Sequence, residues 1–155
     1  MRILGMLLLS VSASVQAATL DISVAQGGSQ IQEFSLDLSE ERQSLDLRES
    51  HRYSVAVSDK TRGKDICREA EYRTGLMLTF KNLEATDQGL SLVEVVGQQS
   101  IVEDLATTEV LSCGANQSPV IQTRAFSTTT TVEEGRPRAI VIDGDTTLLL
   151  SLKPE

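Results

Sequence analysis

Apolar and polar residues alternate with a period of two along most of the chain. In "TLDISVA" the side chains of Leu20, Ile22 and Val24 fall on one face, with Asp21 and Ser23 on the other; in "EFSLDLS" the apolar set is Phe34, Leu36 and Leu38. The rhythm continues through Leu45 and Leu47, through Tyr53, Val55 and Val57, and through Leu76, Leu78 and Phe80. Successive side chains of an extended strand point to opposite faces, so each run predicts a half-buried strand. Residues suited to tight reversal separate the runs: Gly27-Gly28, Arg62-Gly63-Lys64, Asp87-Gln88-Gly89, Glu134-Gly135 and Asp143-Gly144. Two segments break the rhythm. "KDICREAEYR" admits one short helical turn before the strand at Leu76, and "QQSIVEDLA" reads as either helix or strand. The chain has three Phe, two Tyr and no Trp, so its core must be built from Val, Leu and Ile, which suits a pleated sheet. The expected fold is all-β, an antiparallel sandwich or open barrel of about eight to ten short strands.

Four consecutive threonines, Thr128 to Thr131, pose a separate question. An O-glycosylated tether would carry interspersed prolines and no apolar residues. Here Phe126 and Val132 are in phase with Thr128 and Thr130, so one face carries methyl groups throughout, and threonine's branched Cβ favours a strand. The tract is therefore read as a strand, expected to pair with Ala139 to Ile142 through the Glu134-Gly135 turn. Leu148 to Leu152 would follow to complete a three-stranded C-terminal meander.

The first residues change the setting. "MRILGMLLLSVSASVQA" has Arg2 as a positive start, an apolar stretch from Ile3 to Val15, and small residues Val15 and Ala17 before a cleavage point. Residues 1–17 read as a secretory signal peptide, too short and too rich in serine to span a bilayer. Residues 18–155 are then a single exported β domain with no membrane span, periplasmic or secreted. Removing the leader takes away Arg2 and leaves 13 Lys plus Arg against 22 Asp plus Glu, a net charge of −9. Such a chain is repelled by nucleic acid and by anionic lipid. The charge is uneven: Lys60, Arg62, Lys64, Arg68 and Arg73 crowd one segment, whereas Asn82 to Thr123 holds six acids and no Lys or Arg. These two regions are expected to complement each other within the fold. The functional alternative is a bipolar surface that orients a protein partner.

Cys67 and Cys113 are the two cysteines, and export to an oxidising compartment predicts that they bond to each other. Catalytic chemistry finds little support. A nucleophilic triad needs a base, and the one histidine, His51, sits between two arginines as a solvated strand-entry residue; a reactive thiol with His51 as base would require the disulfide to be absent. A zinc site from His51, Cys67 and Cys113 would also cost that bridge. Asp143-Gly144-Asp145 starts like a calcium loop but continues into Thr146, Thr147 and three leucines, so it reads as a hairpin turn. No catalytic residue, cofactor site or metal site is expected. Asn116-Gln117-Ser118 is formally a glycosylation acceptor and predicts an exposed loop.

"EYRTGLMLTFKNLEATDQGLSLVEVVGQQSIV" and "PVIQTRAFSTTTTVEEGRPRAIVI" together resemble the C-terminal β-domain of secretins, the outer-membrane channels of bacterial secretion and pilus systems. The resemblance rests on Tyr72, Gly75, Leu76, Leu78, Asp87, Gly89, Leu90 and Leu92, and then on Pro119, Arg124, Thr130, Val132, Gly135, Ile140 and Ile142. Asn82-Leu83 departs from the family where a proline is usual, and Asp143-Gly144 replaces its paired glycines. The resemblance implies a small secretin-like module, not a whole channel, near an envelope machine. The expectation is a non-enzymatic β module whose partner is an envelope protein. The alternative is a ligand-binding module or enzyme inhibitor.

Overall fold

The computed structural model describes residues 18–86 and 89–153; the expected signal peptide lies outside them. Eight strands follow one another: β1 (Ala18–Gln26), β2 (Gln32–Leu38), β3 (Gln43–Asp59), β4 (Lys64–Thr86), β5 (Leu90–Leu111), β6 (Gly114–Glu133), β7 (Arg138–Val141) and β8 (Thr146–Leu152). They form two antiparallel four-stranded sheets, ordered β2-β1-β8-β7 and β3-β4-β5-β6. The fold is all-β as expected, and of the two architectures expected, sandwich or open barrel, the two four-stranded sheets form a sandwich. Gly27-Gly28, Gly63, Gly89, Glu134-Gly135 and Asp143-Gly144 all fall at strand connections; Asp87 and Gln88 of the expected reversals lie outside the described residues.

The core lies between the sheets. The alternating residues Leu20, Ile22, Val24 and Leu38, with Leu148, Leu150 and Leu152, bury one face of the first sheet. Leu76, Leu78, Phe80, Val93, Val95 and Val132 meet them from the second. Each fully buried aliphatic side chain contributes about 1.5–3 kcal/mol of transfer free energy, so this two-layer seam holds the molecule together. Gly97 takes part by having no side chain. The ring of its cross-strand partner Phe126 lies over it, and a Cβ on Gly97 would stand 2.0 Å from Phe126 Cζ.

Several expectations need correction. The strands of the second sheet are not short, at 17, 23, 22 and 20 residues for β3 to β6: "KDICREAEYR", read as admitting a helical turn, belongs to β4, while "QQSIVEDLA" takes the strand option of its two readings, within β5. His51 is therefore a mid-strand residue of β3 and not a strand entry. The threonine tract is a strand, but it pairs with β5, Thr129 opposite Glu94, and not with Ala139 to Ile142. The ladder explains why: β5 offers β6 a matched run of some twenty residues, whereas β7 is only four residues long. At Glu134-Gly135 the chain crosses to the other layer, the Gly135 N–H donating to Leu152 O at 3.4 Å, and β7 pairs with β8 alone. The C-terminus is thus a two-stranded hairpin joined to the other sheet, and the three-stranded meander is not formed.

Candidate functional site

The second sheet is longer than the first and divides where it outruns it. β4 and β5 pair from Thr86/Leu90 as far as Gly75/Ser100, and beyond that point each keeps one partner. β4 pairs only with β3, β5 only with β6. Gly75 sits at the division with φ +123°, and a Cβ there would meet the Leu47 carbonyl oxygen at 2.7 Å. A side chain is excluded on both counts, so glycine lets β4 bend away from β5. Two hairpins, 49–74 and 101–123, leave the sandwich from this point.

The hairpins are clasped to each other. Cys67 on β4 is bonded to Cys113, which with Ser112 forms the two-residue turn between β5 and β6, and their Cα atoms are 6.0 Å apart. Beside the bridge, Asp65 accepts hydrogen bonds from the Ser112 backbone N–H at 3.0 Å and hydroxyl at 2.5 Å. The Ser112 hydroxyl and then its N–H hold the Asp65 carboxyl below the usual carboxylate range. Along the same seam Gln117 Oε1 accepts from Ser54 N–H at 2.9 Å, and Asn116 Oδ1 from Ala56 N–H at 3.2 Å. These are outward amides of an edge strand, and the two side chains cap them. Asn116 also donates from Nδ2 to Thr108 Oγ1 at 2.9 Å. The glycosylation acceptor is therefore a half-buried strand residue engaged through both side-chain atoms, not an exposed loop.

The outer faces of the clasp differ. On the 49–74 hairpin the core-facing parity continues past the sandwich as His51, Tyr53, Val55 and Val57, opposite Tyr72, Ala70, Arg68 and Ile66. His51 stacks on Tyr72 with centroids 5.2 Å apart, Tyr53 lies 5.8 Å from the same ring, and His51 Nε2 is 2.7 Å from Thr74 Oγ1. Cys67, opposite Ala56, faces the other way, so His51 and the sulfur are on opposite sides of the sheet. The row ends in a directly opposed aliphatic pair, Val57 and Ile66, each about half exposed, beside exposed Lys60, Arg62 and Lys64. On the 101–123 hairpin Ile101, Leu105, Val110, Val120 and Ile121 are exposed among the acids Glu103, Asp104 and Glu109.

The expected electrostatic complement between these regions takes a different form. Arg62 pairs with Asp59 and Arg73 with Asp46, both on β3, so these two cations are met by their neighbouring strand and not by the acidic segment. Arg48, which also binds Asp46 at 2.7 Å, holds that carboxyl well below its ordinary range. Lys60, Lys64 and Arg68 have no ion pair among the described residues.

Two grooves flank the clasp. One of about 390 Å³ lies beside the bridge, between Arg52, Tyr53, Arg68 and Gln117. The other, about 400 Å³, lies where the hairpins divide, walled by Thr74, Gly75, Ser100 and Ile101 and by the turns carrying Gly27 and Asp145. In the latter turn Asp143 Oδ1 accepts from the Asp145 and Thr146 N–H groups at 2.9 and 2.7 Å. Burial pushes the Asp143 carboxyl up, but these bonds outweigh it and hold it below the usual range. The aspartate closes a turn, as its sequence context predicts. Among the described residues no three His, Cys, Asp or Glu side chains gather to hold a metal ion, and no helix is long and apolar enough to cross a membrane. Comparison with known protein families, curated proteins and solved structures finds no match to this chain.

Sequence reasoning found the two cysteines and missed the surface they organise. The signal was present in part: Ser112-Cys113-Gly114 is a turn sequence, and the side-chain amides of Asn116 and Gln117 follow it closely.

Proposed function

We propose that the chain is a non-enzymatic, exported β module that works through protein contacts, as an accessory of an envelope secretion or pilus assembly. The observation that carries this reading is the clasped pair of hairpins. It extends past the sandwich, is pinned by a disulfide, and carries exposed Val57 and Ile66 beside Lys60 and Lys64, which have no ion pair among the described residues, with exposed Val110 beside Glu109 on the other hairpin. Rigid, exposed aliphatic side chains with charged neighbours suit a protein interface, where the apolar centre supplies affinity and the charges set orientation. The envelope setting comes from the resemblance of residues 71–102 and 119–142 to the secretin β-domain.

Photo-crosslinking from an amino acid placed at Val57 or Ile66 in living cells tests this. A specific adduct with a component of a secretion or pilus machine is the expected result, lost when Lys60 and Lys64 are changed to Glu. Adducts at the same yield from Ser23, on the outer face of the first sheet, would sink the reading.

A second reading rests on the groove where the hairpins divide. Its hydroxyl and amide lining, from Thr74, Ser100 and Gln99, suits a small polar ligand. Native mass spectrometry of protein purified without denaturation distinguishes the two: a bound molecule lost on changing Gln99 to Ala favours the ligand-binding module.

A further inference from the structure

A sandwich has edges, and this one guards them unequally. On the free side of β3, in the hairpin, Asn116 and Gln117 cap the amides of Ala56 and Ser54. The other sheet has two edges: β7 is four residues long and begins at Arg138 just after Pro137, and β2 is seven residues long and carries the acids Glu33 and Asp37. The remaining long edge is the threonine segment of β6. From Arg124 to Thr131 it has β5 on one side and no strand on the other. It carries no Lys, Pro, Gly or acid between Arg124 and Glu133, and its pairing to β5 is regular there, the register shifts lying further along at Val102/Asp104 and Thr107/Glu109. Lysine, proline and bulges are the usual means of blunting an edge against strand addition, and this stretch has none of them.

We propose that this edge is a homodimer interface, on which β6 of a second copy pairs antiparallel about a two-fold axis through Thr129. The occupant follows from the segment's self-complementarity. A two-fold axis perpendicular to the sheet keeps each face on its own side, so paired residue numbers must share parity. Centred on Thr129, Thr128 stands opposite Thr130, Ser127 opposite Thr131, and Phe126 opposite Val132. Hydroxyl and β-branched pairs of this kind are favourable across strands. The seven residues around the axis are uncharged, so no like charges meet, and the Arg124 end of each copy lies beside the Glu133 end of its mate. The geometry also permits it. β7, the edge of the other layer, lies against β6, so both layers end on this side. The clasped hairpins leave from the Arg124 end of the segment and would point away from the axis in opposite directions. The pairing is independent of the envelope partner proposed above.

Cysteine placement tests the register. Directly opposite residues of an antiparallel pair have Cα atoms about 4.5–5.5 Å apart, within disulfide range. Thr129 is exposed and off the core face, so Thr129→Cys leaves the fold intact, which retention of the Cys67–Cys113 bridge by peptide mapping checks. With oxidised glutathione, Thr129→Cys should give a covalent dimer linked 129 to 129. Ser127→Cys alone should not, whereas a mixture of Ser127→Cys and Thr131→Cys should. Wild-type protein should sediment as a dimer at about 100 µM, and Thr129→Lys, which sets two cations at the axis, should weaken association at least about tenfold. A wild-type monomer at that concentration overturns the proposal. So does crosslinking of Ser127→Cys alone at the rate of Thr129→Cys.

Discussion

Replacing Cys67 and Cys113 together by serine removes the one covalent tie between the two hairpins. The cysteines are 46 residues apart in sequence, and the chain-entropy treatment of a loop this size gives about 4 kcal/mol of lost stabilisation. The measured loss should be about 2–4 kcal/mol, since reduced hairpins stay partly ordered through Asp65, Asn116 and Gln117. The location of the bridge predicts more than its size. Every residue of the buried core cluster lies in the sandwich and none in the hairpins past Gly75 and Ser100. Without the bridge, the hairpins should therefore open at lower cost than the whole molecule unfolds. Urea unfolding gives the global term, and hydrogen exchange gives the local one. Amides of Ser54 and Ala56, capped across the seam, should lose protection beyond the global change, while those of Leu78, Val95 and Leu150 should follow it. Equal loss at all five positions would refute the separation of hairpins from sandwich, and a midpoint unchanged within about 0.5 kcal/mol would refute the entropic role.

Leu150→Ala, at a fully buried position paired with Ile22, should cost about 2–5 kcal/mol in urea unfolding, whereas Thr129→Ala on the exposed face of β6 should stay within about 0.5 kcal/mol. Gly75→Ala forces a side chain into φ +123° against the Leu47 carbonyl and should lower stability by at least about 1–3 kcal/mol; an unchanged melting temperature would mean β4 does not need its bend. The Asp65 carboxyl titrates lower in the fold than its ordinary 3.8, so between those two values the unfolded chain binds more protons. Its contribution is complete above the unfolded value and disappears as pH falls through the folded one. Exchange of the Ser112 amide should thus accelerate, relative to its intrinsic rate, only below about pH 4, and in Asp65→Asn this acid-dependent step should vanish.

Alternation revealed the strands that line the core because one of their faces is dry and the other wet. Where both faces meet water the contrast fades, which is why "KDICREAEYR" resembled a helical turn and His51 a strand entry, although each belongs to a strand that also runs through the sandwich. Pairing was harder to read, for a physical reason. Glycine at 135 marks a reversal, but whether the chain then pairs with itself or changes layer depends on the ladder that distant β5 already offers to β6. The bond between the two cysteines was legible from their number and the expected export; what they join was not, since the division of the sheet at Gly75 depends on which strands pair beyond it. The same limit governs the threonine tract. Its in-phase methyl face identifies it as a strand from sequence alone, with Val132 fully buried and Thr129 exposed as the phase requires. Its place at an edge appears only once the topology is known, and there the absence of lysine, proline and bulge, uninformative in a central strand, becomes the feature that invites a second strand.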